Sequence, residues 1–152
     1  MPEDSAFQPR NPDWERLARE AFANQSFMAL LGVEVGELRP GYCELRLPYR
    51  NDLLQQNGLF HGGIVGTLAD NVGGGATGTL APPGAMVLTV EYKLNLLTPA
   101  RGDYLLARGQ VLKAGRTLTV VRSDVYGVTG EIEKLCAPAL VTVMTLESAG
   151  RD

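Results

Sequence analysis

One short segment, residues 58–71, holds the side chains and backbone groups that could do chemistry. His61 is the only histidine in the chain, and Gly62 and Gly63 follow it where an apolar helix is predicted to begin. The N-terminus of a helix presents unpaired N–H groups, and glycine lets a ligand approach the backbone closely. Together these features could form an oxyanion hole for acyl-transfer chemistry.

Asp70 is the one acid within this apolar helix. An unpartnered buried carboxylate is costly, so Asp70 must either find a partner or have a chemical role such as general base. Simpler interpretations remain open at this stage. His61 could only cap the helix, the glycines could serve only close packing, and backbone groups or Thr67 could satisfy Asp70.

The spacing of these groups predicts a site shared between subunits. Gly63 and Asp70 are seven residues apart, so they share a helix face and lie about 10 Å apart along its axis. One carbonyl cannot contact both groups, because each contact requires about 3 Å. If two copies of the helix pack antiparallel about a two-fold axis, Gly63 of one copy meets Asp70 of the other. A catalytic site here therefore requires at least a dimer.

A buried helix must carry this segment, and a sheet must surround the helix. Apolar residues cover most of the surface from His61 to Leu80, which is typical of a buried helix. Two runs of strand-like sequence come before it, Val33–Leu38 and Tyr42–Tyr49, joined by a hairpin. Four more runs follow the helix: Met86–Leu97, Tyr104–Leu112, Thr117–Gly127 and Lys134–Leu146.

The first run after the helix alternates almost without interruption, with Leu88 and Val90 on one face and Thr89 and Glu91 on the other. Short turns between the later runs predict an antiparallel meander. Near the start of the chain, Asn11 is predicted to cap a helix that begins at Pro12, and Ser26 to cap a second short turn. We predict an α+β protein with three parts: a tail and helix (1–25), one domain (26–147) and a C-terminal tail (148–152).

Composition excludes several classes of function. The net charge of −3 and the pI of about 5.2 argue against a nucleic-acid-binding surface. No apolar stretch is long enough to span a membrane, and the start of the chain is no signal peptide, so we expect a cytoplasmic protein. Cys43 and Cys136 are predicted to be small buried residues without a disulfide. One histidine and two distant cysteines cannot form a usual zinc site, and we predict no metal or cofactor.

The segment His61-Gly62-Gly63, followed by Leu68-Ala69-Asp70, resembles the signature of the hotdog-fold thioesterases. Within that family it is similar to the PaaI-like branch of the phenylacetic-acid pathway. Residues 89–92, 98–100 and 113–117 also resemble family segments. The resemblance covers about residues 26–147 and implies a hotdog fold, in which an antiparallel sheet wraps around one central helix, here preceded by an N-terminal helix.

The resemblance implies hydrolysis of an acyl-CoA thioester to free acid and CoA. Asp70 would be the general base or the nucleophile. The N–H of Gly63, together with that of Gly62, would polarise the thioester carbonyl, while His61 sets the loop. Thr89 would position water.

Further contacts are implied around these groups. Gln55 would donate an N–H to the carbonyl region, with Asn57 as its rival. The CoA phosphates would meet basic turn residues, which otherwise are ordinary solvated side chains; the candidates are Arg101, Lys113 and Arg116, with Gly115 allowing close approach. Family members are dimers at least, and pairs of dimers commonly form tetramers.

A run of three glycines, 73–75, departs from the family pattern. It could loosen or end the helix, or it could clear space for a bulky acyl group or for a packed partner helix.

Two other functions compete with the thioesterase. A non-catalytic module that only binds acyl-CoA has little need for Asp70. A hotdog hydratase would pair the acid with a histidine five residues later, where this chain has Gly75. The first thirty residues are too short and not basic enough for a DNA-binding extension.

Overall fold

A six-stranded antiparallel sheet packs against one long helix in the computed structural model, which describes residues 7–148. The helices are α1 (Trp14–Ala23), α2 (Ser26–Leu31) and α3 (Gly62–Gly78), with a 3-10 turn at Asn51–Leu53. The strands are β1 (Glu34–Arg39), β2 (Tyr42–Pro48), β3 (Met86–Leu94), β4 (Tyr104–Ala114), β5 (Leu118–Thr129) and β6 (Ile132–Leu146). The predicted α+β hotdog fold is confirmed. Within 7–148, no helix has the length and apolarity needed to cross a membrane.

The helix α3 is the centre of the core, and it packs against the strands β2 to β6. Val65, Leu68 and Val72 are fully buried on its inner side, and each such side chain stabilises the fold by roughly 1.5–3 kcal/mol. Gly109 on β4 permits the close approach, since a Cβ there would lie 2.5 Å from the carbonyl oxygen of Val72. The inner side of α3 is therefore packed tightly against the sheet, and its outer side is not.

The order of the strands, β1-β2-β4-β5-β6-β3, differs from the predicted meander. The hairpins β4–β5 and β5–β6 form as expected, but β3 pairs with β6. The cause is the long connection 95–103. The N–H groups of Asn95 and Leu97 donate to the carbonyls of Pro138 and Cys136, at 3.1 and 2.9 Å, so the chain continues along β6 before it crosses to β4. As a result, the second edge of β3 faces no other strand of the described chain.

A β-bulge at Val90 interrupts β3, because the pairing register with β6 shifts between Thr89 and Glu91. Thr89 faces α3 before the bulge, and the tip of Tyr92 lies over α3 after it. The uninterrupted alternation expected from the sequence is therefore wrong. Leu88, which it placed on the same face as Tyr92, is instead on the outside and 49% exposed. Such bulges often re-aim side chains next to active sites.

Two predicted helix starts are wrong. The helix α1 begins at Trp14 rather than at Pro12, because the Asn11 side chain accepts a hydrogen bond from the N–H of Asp13 at 3.0 Å and holds a turn ahead of the helix. Ser26 is the first residue of α2 rather than its cap. The glycine run 73–75 does not end α3, which continues to Gly78.

Candidate active site

The start of α3 is organised by His61, which caps the helix. Its Nδ1 accepts a hydrogen bond from the N–H of Gly63 at 2.8 Å. The N–H groups of Ile64 and Val65 donate to the carbonyl oxygen of His61. The N–H of Gly62 has no acceptor within residues 7–148. Of the two glycines that the sequence suggested as donors, Gly62 is thus the one whose N–H is unpaired, while the N–H of Gly63 is occupied.

The loop before α3 is fixed by backbone hydrogen bonds to the 3-10 turn and to the connection 95–103. The N–H of His61 donates to the carbonyl of Leu53 at 3.0 Å, and the N–H of Phe60 donates to the carbonyl of Ala100 at 2.9 Å. These two bonds fix the position of the capping residue, His61, relative to the 3-10 turn and the connection 95–103.

Gln55 lies at the start of a turn within this loop. Its side-chain oxygen accepts a hydrogen bond from the N–H of Asn57, and its carbonyl accepts one from the N–H of Gly58 at 3.1 Å. The side-chain amide nitrogen of Gln55 has no acceptor in the described chain, so it remains a donor. Asn57, the predicted rival, is exposed on the turn.

Among the residues that the structure describes, Asp70 has one polar partner, and the bulged strand supplies it. The hydroxyl of Thr89 donates to Oδ1 of Asp70 at 2.5 Å, a short charge-assisted hydrogen bond. The carboxylate is half-buried, and its Oδ2 has no hydrogen-bond partner within residues 7–148. Thr67 is not the partner, because its hydroxyl donates to the carbonyl of Gly63 at 2.8 Å. The structure therefore brings together Asp70 and Thr89 as two of the predicted site residues.

A cavity of about 280 Å³ opens beside this pair and runs between α1 and α3. Asp70 and Thr89 line it, together with Asn71 and Gln25. The rest of its lining is small or apolar: Ala18, Ala21, Phe22, Gly74, Gly75, Gly78 and Val87. Asp70 is the only charged residue in the lining, so the space suits an uncharged, mainly apolar group.

The predicted CoA contacts lie at opposite ends of the sheet. Arg101 lines a cavity of about 420 Å³ near the start of α3, and Lys134 lines the same cavity. Gly115 and Arg116 line another, of about 290 Å³, at the far end of α3, where Lys113 is also exposed. Gly115 serves its own hairpin, because an added Cβ would lie 2.5 Å from a backbone oxygen of the turn. Sequence reasoning missed Lys134, which gives no turn signal because it lies within a strand.

Most other cations of the described chain are occupied. Arg108 pairs with Glu44 and with Glu133, and Arg50 pairs with Asp52. Arg101, Lys113, Arg116 and Lys134 have no acidic partner within residues 7–148. Arg46 and Lys93 also lack an acidic partner there, but Arg46 lies over the ring of Tyr104 and Lys93 donates to the side chain of Asn95. Among the described residues, the other four side chains have no such contact and are available to an anionic ligand.

Neither cysteine lines the cavity beside Asp70. Both are free and buried, as predicted. Burial raises the pKa of the Cys43 thiol to about 12, so it stays protonated at neutral pH and is a poor nucleophile.

Comparison with known proteins agrees with this geometry. A sequence profile described as the thioesterase superfamily matches residues 57–134. A protein of Halobacterium salinarum, provisionally named an esterase, is 36% identical over 118 residues, which are 74% of this chain and 78% of that protein.

Solved structures give the same result for the fold. The crystal structure of a thioesterase family protein from Silicibacter pomeroyi has a TM-score of 0.87 and 41% identity, and the match covers 89% of this chain and 99% of that one. The PaaI protein from the phenylacetic acid degradation operon of E. coli has a TM-score of 0.78 over 90% of this chain and 96% of that one. Because it is only 18% identical, that likeness concerns the fold alone.

The matched profile spans the helix cap, the carboxylate and the bulged strand that the geometry brings together. The prediction of a thioester hydrolase is thus confirmed at the level of the family. The chain belongs to the thioesterase superfamily.

Proposed function

We propose that this protein hydrolyses acyl-CoA thioesters to free acid and CoA, at two identical sites that two subunits of a dimer share. The observation that carries the proposal is the Asp70–Thr89 hydrogen bond at the edge of a mainly apolar cavity. A carboxylate with one oxygen held and the other free is suited to taking a proton from water. The adjoining cavity is suited to an acyl group.

The shared site follows from the distance between donor and base. Gly62 and Asp70 are eight residues apart in α3, or about 12 Å along the axis. One carbonyl therefore cannot contact both groups of the same helix. Antiparallel packing of two subunits brings Gly62 of the partner subunit to Asp70, with the two-fold axis level with Gly66.

The edge strand β3 supports such a pairing. Its second edge faces no strand of the described chain, and Met86, Val90 and Tyr92 are 57%, 55% and 45% exposed. An apolar, unpaired edge is a template for pairing with another strand. Two β3 strands that pair antiparallel would obey the same two-fold symmetry as the helices.

The reaction uses the groups in a defined order. The thioester carbonyl accepts a hydrogen bond from the N–H of Gly62 of the partner subunit, with the positive end of the α3 dipole behind it. Water attacks the carbonyl carbon while Oδ2 of Asp70 takes its proton, and Thr89 holds the other carboxylate oxygen. The tetrahedral intermediate then collapses, the C–S bond breaks, and the CoA thiolate takes the proton back from Asp70.

In the nucleophilic variant of this mechanism, the Asp70 carboxylate itself attacks and forms an anhydride that water then hydrolyses. Rapid quenching with radiolabelled acyl-CoA separates the two routes, because only the anhydride leaves label on the protein. In both routes Gln55 is a second donor to the carbonyl, and His61 acts by holding Gly63.

The CoA phosphates would lie between two groups of unpaired cations. Arg101 and Lys134 are at one end of each subunit, and Lys113 and Arg116 are at the other. With the two-fold axis level with Gly66, the first end of one subunit lies level with Asp70 of the partner subunit, about 12 Å along α3 from that subunit's second end. Both groups would then face the same bound CoA, where cations bind phosphate oxygens by charge-assisted hydrogen bonds.

We also propose that dimers pair into tetramers through the outer face of the sheet. Leu88 and Leu118 lie on either side of Met144 across β3, β6 and β5, and both leucines are about half exposed. Met86 and Leu146 extend this apolar patch. Contiguous exposed apolar patches mark protein–protein contacts. The cytoplasmic location expected from the sequence stays a prediction.

The test of function is Asp70→Asn, assayed with a panel of acyl-CoAs by release of free thiol. The substitution is nearly isosteric and removes the base, so we expect kcat to fall by about 10²-fold or more with the fold intact. Asp13→Asn, the same chemical change at the exposed residue just before α1, is the matched control and should keep wild-type kcat. A folded wild-type protein that binds acyl-CoA without releasing thiol would instead identify the non-catalytic binding module.

A further inference from the structure

The glycines in the second half of α3 divide into two kinds. A Cβ at Gly73 would lie 2.9 Å from a side chain of β6, and one at Gly75 would lie 2.7 Å from side chains of α1 and β2. A Cβ at Gly74 or Gly78 would meet no atom within 4 Å. Gly73 and Gly75 are therefore packing residues, whereas Gly74 and Gly78 border open space.

That open space is the cavity that contains Asp70 and Thr89, since Gly74 and Gly78 both line it. Gly75 lines it as well, but Phe22 and Cys43 already occupy the space next to its Cα. Asp70, Gly74 and Gly78 follow one another at four-residue intervals, so neighbours in this series share a face of α3. The cavity thus extends from the carboxylate along the second half of the helix.

The helix α1 covers the cavity from the outside. Before α1, the Arg10 side chain donates to the carbonyl of Leu80 at 3.1 Å, just beyond the end of α3. Near the end of α1, Phe22 packs against Gly75 in the middle of the second half of α3. The chain therefore runs back along α3, and Ala18 and Ala21 add small side chains to the cavity wall.

A partner helix does not fill this space in the proposed dimer. Where Gly62 of the partner subunit is opposite Asp70, the partner's α3 begins at that level. The second half of α3, from Asp70 to Gly78, therefore has no partner helix beside it. This step rests on the proposed function, and it favours a ligand over a packed helix as the occupant.

We propose that the covered channel binds the acyl group of the substrate, and that Gly74 and Gly78 determine how long that group can be. Gly78 lies eight residues beyond Asp70, or about 12 Å along the axis, which an extended chain spans with about ten bonds. The substrate class is accordingly a medium-length, uncharged acyl group, straight-chain or ending in an aryl ring. Acyl groups that end in a carboxylate are excluded, because the lining holds no cation to pair with it.

The test is a chain-length profile of kcat/KM for straight-chain acyl-CoAs from acetyl to palmitoyl. Gly78→Leu places a side chain at the far end, so it should lower kcat/KM at least tenfold for chains of about eight to ten carbons and leave shorter chains within about twofold. Gly74 lies halfway between Asp70 and Gly78. Gly74→Leu should therefore lower kcat/KM by the same factor for all acyl chains of about five carbons or more. Leucine favours a helix over glycine, so both variants should fold.

Ala23→Leu is the control, since it adds the same side chain to an exposed position on α1 outside the cavity and should keep the wild-type profile. If a leucine variant fails to fold, Gly78→Ala should show a smaller loss of the same kind. Sedimentation of Gly74→Leu tests the alternative that a partner helix packs against these glycines. If this variant dissociates into monomers while its remaining activity keeps the wild-type chain-length profile, the proposed acyl channel is wrong.

Binding to the Asp70→Asn protein separates this inference from the proposed function. If acyl-CoA affinity rises with chain length by about fourfold per methylene group and Gly78→Leu truncates that rise, the channel binds the acyl group even if no turnover is found. If the wild type hydrolyses acyl-CoAs but neither leucine variant changes the chain-length profile, the proposal of an acyl channel is wrong and the proposal of a thioesterase still holds.

Discussion

His61 shows how a single side chain selects which backbone group remains free. By accepting the N–H of Gly63, its ring satisfies one of the orphan donors at the start of α3 and leaves the N–H of Gly62 unpaired. Since Nδ1 is the acceptor, the ring must be unprotonated at that atom. His61 is therefore a positioning residue rather than a catalytic one in this mechanism.

We expect His61→Ala and His61→Asn to differ. Alanine removes the cap, so it should reduce the free energy of unfolding by about 1 kcal/mol and lower kcat, because the Gly62 N–H loses its fixed direction. Asparagine retains a capping acceptor and should recover most of both quantities. Chemical denaturation and thiol-release kinetics measure the two effects. Wild-type kcat in the alanine variant would show that the orientation of Gly62 does not depend on the cap.

The sequence singled out Asp70 and His61, because both stand out on one local helix, and it left capping open as one interpretation of His61. It named Gly63 as the donor, together with Gly62, because the sequence does not show that the His61 ring accepts the N–H of Gly63. The resemblance placed Thr89 in the site as a residue that positions water, but its hydrogen bond to Asp70 was not predicted. Its physical cause, the bulge at Val90, has no signature in an alternating run.

The glycines of α3 differ in their surroundings, because some pack against neighbouring side chains and others border open space. Adjacent glycines should therefore respond in opposite directions to the same change. Gly73→Ala drives a Cβ into Val141 and should cost about 1–3 kcal/mol of stability. Gly74→Ala meets open space and should stabilise by about 0.5–1 kcal/mol, since glycine is a poor helix former.

Urea denaturation of the two variants, each compared with the wild type, measures this pair of effects. Equal changes in the two midpoints would mean that packing does not distinguish the two sides of α3. Urea denaturation does not require enzyme activity, so the result tests the packing of α3 independently of the proposed reaction.

Local patterns predicted most elements, and long-range pairing accounts for the main error. The hairpin between β4 and β5 and the long helix follow from turn residues and apolar periodicity near them in sequence. The position of β3 depends on hydrogen bonds from Asn95 and Leu97 to β6, some forty residues later in the chain. No local feature of residues 86–97 distinguishes that arrangement from a meander.

For the whole molecule, a shared site makes a quantitative prediction about mixed dimers. Gly62→Pro removes the proposed donor, and proline is favoured at the first position of a helix after a residue in extended conformation, as His61 is. This variant and Asp70→Asn should each be inactive. After subunit exchange of an equal mixture, activity should recover to about a quarter of wild type, because half the dimers are mixed and each has one intact site.

Sedimentation equilibrium with one tagged variant verifies that exchange has occurred. Exchanged dimers that remain inactive would place donor and base within one subunit. Such a result would leave Asp70 as the base and would require a different source for the oxyanion donor.

The strand order also bears on how the protein is made. β3 supplies Thr89 to the site, yet its partner β6 is synthesised only after β4 and β5. A growing chain on the ribosome can therefore form α3 and expose Asp70 well before β3 has a strand to pair with. The Asp70–Thr89 pair is completed only after the last strand of the sheet is made, so a translation product that stops before β6 retains the motif but cannot assemble the proposed site.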